Sequence, residues 1–208
     1  MATGKLDAGR IAATALALVA GFVDAYAYLG WHVFGANMTG NTIIFAISLY
    51  ENVERAYLPL VLITLFFAGA IVGRAIMDRF GSHTALYAEA GLLAIASFAP
   101  GYAALPIISL AMGTQNTALS TFAGVAVNTS FLSGDYTKLG QAIAGVAVRR
   151  GTDRDRKTIS IIWPLIATYA CGALISAFCN KIPLRVLFVV PVVIALAFVT
   201  HRKLLNPS

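Results

Sequence analysis

Charge is what this chain has least of. Only 24 of its 208 residues are Asp, Glu, Lys or Arg, or 12%, against 59% hydrophobic. A soluble domain carries about 25% charged residues. So few charges cannot cover a globule of this size while the apolar material hides inside. The shortage excludes a soluble domain, a disordered chain and a coiled coil, and the mean hydropathy of +0.79 agrees. A polytopic, all-α helical membrane protein remains.

Other shortages narrow the function. The two cysteines, Cys171 and Cys179, lie in one apolar stretch. Eight residues of helix separate them by about 12 Å, too far for a disulfide. They read as buried small hydrophobes. The three histidines, His32, His83 and His201, are scattered near predicted helix ends. No Cys/His cluster has metal-ligand spacing, and no Ser–His pair or paired-carboxylate motif is visible. The sequence thus offers no catalytic residue, no metal site and no cofactor, and an enzyme is not expected. Net charge is +6, but the basic residues lack the aromatic-interleaved pattern of a nucleic-acid binder. They read as loops that fix membrane orientation, with no nucleic-acid partner.

What is there is a series of apolar runs. MATGKLDAGR (residues 1–10) is a polar tail, and the run after it has no cleavage signal, so it reads as a first transmembrane helix. The expected crossings are Ile11–Trp31, Ala56–Gly73, Thr84–Ala99, a fourth helix starting near residues 100–104, Thr158–Cys179 and Pro183–Thr200. Two shorter pieces, Asn37–Tyr50 and Gly124–Val148, suit half-helices or re-entrant segments better than full crossings. With six crossings, eleven basic residues share the side of both termini and three lie opposite. That places the termini in the cytoplasm of a bacterial inner (plasma) membrane. Eight crossings would give ten against four, so the rule leaves six or eight open.

The halves resemble each other in order. FAGAIVG (Phe67–Gly73) parallels ACGALIS (Ala170–Ser176) at an offset of 103, and AGLLAIA (Ala90–Ala96) parallels VPVVIAL (Val190–Leu196) at 100. GFVDA (Gly21–Ala25) parallels GTQNT (Gly113–Thr117) at 92, setting Asp24 against Asn116. NMTGNT sets Thr39-Gly40 against Ser133-Gly134 of FLSGDYT. This divides the chain into a tail (1–10), a first repeat (11–100), a second repeat (101–203) and a C-terminal tail (204–208). Three crossings per repeat invert the second copy, the plan of many secondary transporters. Four would make the copies parallel.

GFVDAYAYLGWHVFGANMTGNTIIFAISL and MGTQNTAL followed by SGDYTKLG also carry a resemblance, over about residues 10–203. They are similar to the signatures of the YoaK-like family of bacterial inner-membrane proteins, a domain of unknown function. The resemblance implies the architecture and names no substrate. Where a second Thr-Gly pair is expected, this chain has Ser133-Gly134-Asp135.

Some polar residues sit where a bilayer disfavours them. Asp24 lies about 13 residues into the first helix, where a charge costs about 2.5–3.5 kcal/mol. It reads as a proton-coupling or substrate-contacting carboxylate, or as a neutral acid bonded to another helix. Asn37, Thr39, Gly40, Asn41 and Thr42 form a polar knot before the first short helix. There Thr39 or Asn41 would cap the helix, whose N–H groups would face anions or polar ligands. Gln115 and Asn116, between Thr114 and Thr117, break the fourth helix and favour a water-lined cavity over interhelical hydrogen bonds. Asn128 and Ser133 extend that polar path to the second short helix. Glu89, about one turn into its helix, is expected to snorkel or pair with Arg79. Gly69-x-x-x-Gly73, with Gly172 and Ser176, suits close helix packing. RRGTDRDRKT (Arg149–Thr158) is a solvated loop able to touch anionic lipid.

The substrate-binding set is then Asp24, Asn37, Thr39, Gly40, Asn41, Gln115, Asn116, Asn128 and Ser133. The expected function is a small secondary transporter for a small polar or anionic solute, with Asp24 as its proton-coupling residue. A passive channel and a non-transporting assembly or signalling partner are the alternatives. Membrane lipid is an expected partner, and a homo-oligomer is left open.

Overall fold

The computed structural model describes residues 2–118, 121–122, 125–126, 132–148 and 151–179. Seven helices occupy most of them: α1 (Ala2–Trp31), α2 (Met38–Glu51), α3 (Val53–Phe80), α4 (Ser82–Phe98), α5 (Ala104–Ala118), α6 (Ser133–Ala147) and α7 (Asp153–Cys179). A 3₁₀ turn, Gly101–Ala103, follows Pro100 and joins α4 to α5. Thr121–Phe122 and Val125–Ala126 form a two-residue antiparallel ladder, with Thr121 opposite Ala126. Among the described residues the fold is otherwise all helix.

Helix ends follow local chemistry. The Asn52 side chain accepts from Glu54 N at 3.0 Å and starts α3. Gly81, at φ +87°, stops it. Thr152 and Asp155 cap α7 reciprocally, the carboxylate accepting from Thr152 N at 2.8 Å.

α1 from Arg10, α3 and α7 are long and apolar enough to cross a membrane. Their outward faces are oily: Phe67, Ile71 and Val72 on α3, and Trp163, Leu174 and Phe178 on α7, are exposed. Such a surface is stable against lipid and not against water. α4 and α5, the expected third and fourth crossings, have 17 and 15 residues. At about 26 and 23 Å they fall short of a hydrocarbon core of about 30 Å. The expected sixth crossing, Pro183–Thr200, lies outside the described residues. Cys171 is exposed on α7, not buried as expected.

The helices pack in two pairs. Arg10 reaches the carbonyl of Ser160, and Gly172 lies against Leu18 and Phe22, so α1 and α7 run in the same direction. Gly69 faces Leu110 and Gly73 faces Thr114, so α3 and α5 also run together. Between the pairs the direction reverses. Gln115 of α5 bonds Leu16, whereas Ile108 and Val23 both touch Gly35. Rising along α1 therefore means descending α5.

Each pair crosses at glycines. A Cβ on Gly172 would stand 2.0 Å from the carbonyl oxygen of Leu18, and one on Gly21 2.0 Å from that of Tyr169. In the other pair, Gly69 would meet Leu110 O at 2.1 Å and Gly113 would meet Phe66 O at 2.0 Å. Missing side chains let the backbones touch, as in membrane helix pairs generally.

After α1 the chain doubles back. His32 ends the helix at φ +56°, in the left-handed region usually taken by glycine. Residues 34–37 then descend to the depth of Val23 and Asp24. From there α2 returns toward the start of α3, on which it packs.

Candidate functional site

The turn-back is held by one carboxylate. Asp24, buried on α1, accepts from the backbone N–H of Ala36 at 2.6 Å and of Asn37 at 3.1 Å, both on Oδ1. Its Oδ2 accepts from the Tyr169 hydroxyl of α7. Asp24 thus joins α1, the loop before α2, and α7. The positive end of the α2 dipole faces it. The carboxylate takes the two N–H groups just before α2, while the Asn37 side chain caps the helix itself.

The knot is built as much for the backbone as for a ligand. Asn37 caps α2, its Oδ1 accepting from Gly40 N at 3.1 Å. This corrects the expectation of a Thr39 or Asn41 cap. Asn41 is fully buried and clamps Phe34, accepting from its N–H and donating to its C=O, both at 2.8 Å. Gly40 packs against the Phe34 ring, where a Cβ would approach to 2.6 Å. Thr39 is exposed, and Thr42 bonds back to the Met38 carbonyl at 2.8 Å.

The polar stretch of the fourth helix does not break it. α5 runs through Thr114–Thr117 to Ala118. Thr114 donates to the Gly69 carbonyl at 3.1 Å, Thr117 to that of Ala70 at 3.2 Å, and Gln115 to that of Leu16 at 3.3 Å. The polar residues face neighbours on two sides, so interhelical bonding describes these three better than the expected water-lined cavity. Gln115 meets α1 eight residues below Asp24, about 12 Å along the helix. It does not join the Asp24 cluster. Asn116 is half-buried beside it. Ser133 opens α6, and Asp135, buried in the first turn, pairs with Lys138 at 2.9 Å. Asn128 lies outside the described residues.

Cavities lie at both ends of the molecule. One of about 710 Å³ sits where α1 ends, lined by Trp31, His32, Ile44, Ile47, Ser48, Glu51 and Arg55 among others. Another of about 380 Å³ sits at the start of α7, lined by Val125, Lys138, Gln141, Ala142, Arg154, Asp155 and Thr158. Both are of small-molecule size.

Tyr169 has no local signal in the sequence, and Glu89 is placed differently from expectation. Tyr169 sits in an apolar helix 145 positions from Asp24. Glu89 is fully buried, and neither carboxyl oxygen has a hydrogen-bond partner among the described residues. The expected pairing with Arg79 does not form, since that guanidinium lies over the Phe80 ring at 5.5 Å.

Apolar spanning helices with buried polar clasps define a polytopic helical membrane protein. The chain belongs to the family described as Protein of unknown function (DUF1275), which matches residues 12–200. It is 28% identical over 209 residues to UPF0700 transmembrane protein YoaK of Bacillus subtilis (strain 168), covering 91% of this chain and 92% of that protein. No solved structure matches.

Proposed function

We propose that the protein is a small secondary transporter, not an enzyme, built as an inverted repeat. It sits in the bacterial inner membrane with both termini cytoplasmic and moves a small polar or anionic solute. The observation that carries this reading is the pair of end cavities. Ile44, Ile47 and Ser48 of the first stand 94 positions before Lys138, Gln141 and Ala142 of the second. Glu51 and Arg55 stand 103 positions before Arg154 and Thr158. Equivalent residues thus line cavities at opposite ends.

The glycine crossings support the same relation. Gly21 and Leu18 correspond to Gly113 and Leu110 at an offset of 92, and Gly69 and Phe66 to Gly172 and Tyr169 at 103. The opposite directions of α1 and α5, and the doubling back before α2, favour three crossings per copy with re-entrant short helices. α4 and α5 then cross where the bilayer thins to meet them.

Asp24 supplies the coupling. Its two oxygens accept from the N–H groups of Ala36 and Asn37 and from the Tyr169 hydroxyl. A proton turns one acceptor into a donor, so the Tyr169 hydroxyl must rotate and the loop loses an anionic acceptor, roughly halving those bonds. Protonation therefore loosens the re-entrant loop beside the larger cavity, where solute enters. A thermal-shift screen of the purified protein against small polar and anionic metabolites at two pH values tests the reading. A saturable, pH-dependent hit is expected. With that solute in proteoliposomes, Asp24→Asn should insert but lose proton-linked uptake. Full pH-dependent uptake by Asp24→Asn would overturn the coupling role, and unsaturable flux without a gradient would point to a channel.

A further inference from the structure

Glu89 belongs to no part of the site described above. It lies on the buried stripe of α4 with Ala85, Leu86, Leu93 and Ala96. That stripe packs on α3 and α5, where Leu86 and Leu93 share a core with Leu105, Ile108 and Met112. Glu89 is 0% exposed, and among the described residues neither oxygen has a hydrogen-bond partner.

Among the described residues, the elements packed against it offer nothing to hold a negative charge. α5 carries no titratable side chain. On α3, Arg74 pairs with Asp78 at the exposed surface, Arg79 is exposed over Phe80, and Glu54, Arg55 and Tyr57 lie at the far end. On α4 itself, His83 and Tyr87 are exposed. An ionised carboxylate placed here, dry and unpaired, is strongly disfavoured. A neutral acid is not.

Its depth differs from that of Asp24. Glu89 is nine residues before Phe98 in the α4–α5 hairpin, which puts it near Gly113 of α5. That is about the level at which Gln115 bonds Leu16, some 12 Å along α1 from Asp24.

We propose that Glu89 is a second proton-binding site, neutral in this conformation and closed by the α4–α5 contact. When α4 parts from α5, water reaches the carboxyl, its O–H bond breaks and the proton passes to that water, leaving a carboxylate. The proton site stands by itself; its part in coupling rests on the transporter reading, for which it is the station nearer the α1 N-terminal side.

The chain has three glutamates, Glu51, Glu54 and Glu89, and the first two are exposed. The test is infrared spectroscopy of the full-length protein in lipid, with glutamate carboxyl groups labelled with carbon-13. The probe is the proton alone. At neutral pH the label should shift one carboxylic-acid C=O band. That band should move in D2O and shrink in alkali while the protein stays folded by circular dichroism. It should vanish in Glu89→Gln and persist in Asp24→Asn. A label that shifts no acid band at neutral pH overturns the proposal, without any variant having to fold. So does a band that ignores both D2O and alkali in folded protein. Failure of every solute to move across proteoliposomes, with the band present, would remove the transporter reading and leave the proton site. Proton-linked flux without the band would do the reverse.

Discussion

Replacing Gly172 by alanine should drive α1 and α7 apart. The new methyl carbon would lie 2.0 Å from the Leu18 carbonyl oxygen, 2.8 Å from its carbon and 3.0 Å from Phe22 N. Ordinary contact begins near 3.4 Å, so about 1.4 Å must be gained. All three obstacles are backbone atoms, so no side chain can swing clear. Overpacking of this kind costs about 1–3 kcal/mol, and a rigid helix pair belongs at the upper end. Alanine returns about 0.5–1 kcal/mol of helix propensity, leaving a net loss of roughly 2 kcal/mol. The controls are Gly30→Ala and Gly91→Ala, helical positions where a Cβ meets nothing within 4 Å. Those should be neutral or slightly stabilising. Thermal unfolding in detergent reads all three. Gly69→Ala should cost about as much as Gly172→Ala, since its Cβ would stand 2.1 Å from the Leu110 carbonyl oxygen. If Gly172→Ala melts with the controls, the close crossing is wrong and the pairing of α1 with α7 fails with it.

Three further outcomes follow from the clasp. Tyr169→Phe removes a hydrogen bond to a charged acceptor and should cost about 1.5–3 kcal/mol; a double-mutant cycle with Asp24→Asn should be clearly non-additive, and additive melting temperatures would contradict the contact. Asn37→Ala should cost about 1 kcal/mol through the lost cap of α2, with Asn37→Asp keeping most of it, both read by thermal melts. Asn41→Leu strips Phe34 of partners for both its backbone groups, at about 1–3 kcal/mol each, and should speed proteolysis within residues 32–37; unchanged cleavage would count against the clamp.

The three long spans, α1, α3 and α7, were legible because charge-free runs mark them, and the knot because Asn, Thr and Gly cannot lie idle in a bilayer. Tyr169 was not legible, because nothing local announces a partner 145 positions away. One signal existed. The proposed repeat would set Asp24 against Asn116 and Tyr169 against Phe66, replacing the acid and the phenol together. Glu89 was misread from its nearness to the end of a charge-free run. Its helix starts at Ser82 and turns that position inward, and facing is a tertiary fact. The polar stretch of α5 misled for a similar reason. Hydroxyls at Thr114 and Thr117 bond neighbouring carbonyls without disturbing their own helix, so polar sequence did not mean broken helix. Asn37 was passed over as cap because hydroxyl and amide residues crowd the same turn, and only backbone angles choose among them.

Inversion of the two halves is open to side-specific labelling. Single cysteines at Ile47 and Gln141, equivalent positions in the two cavities, would be placed in a chain lacking Cys171 and Cys179. An impermeant maleimide would be applied to right-side-out spheroplasts and to inside-out vesicles. With inverted halves, Ile47→Cys should react only from outside and Gln141→Cys only from the cytoplasmic side. Reaction of both from the same side would make the copies parallel and contradict the inversion.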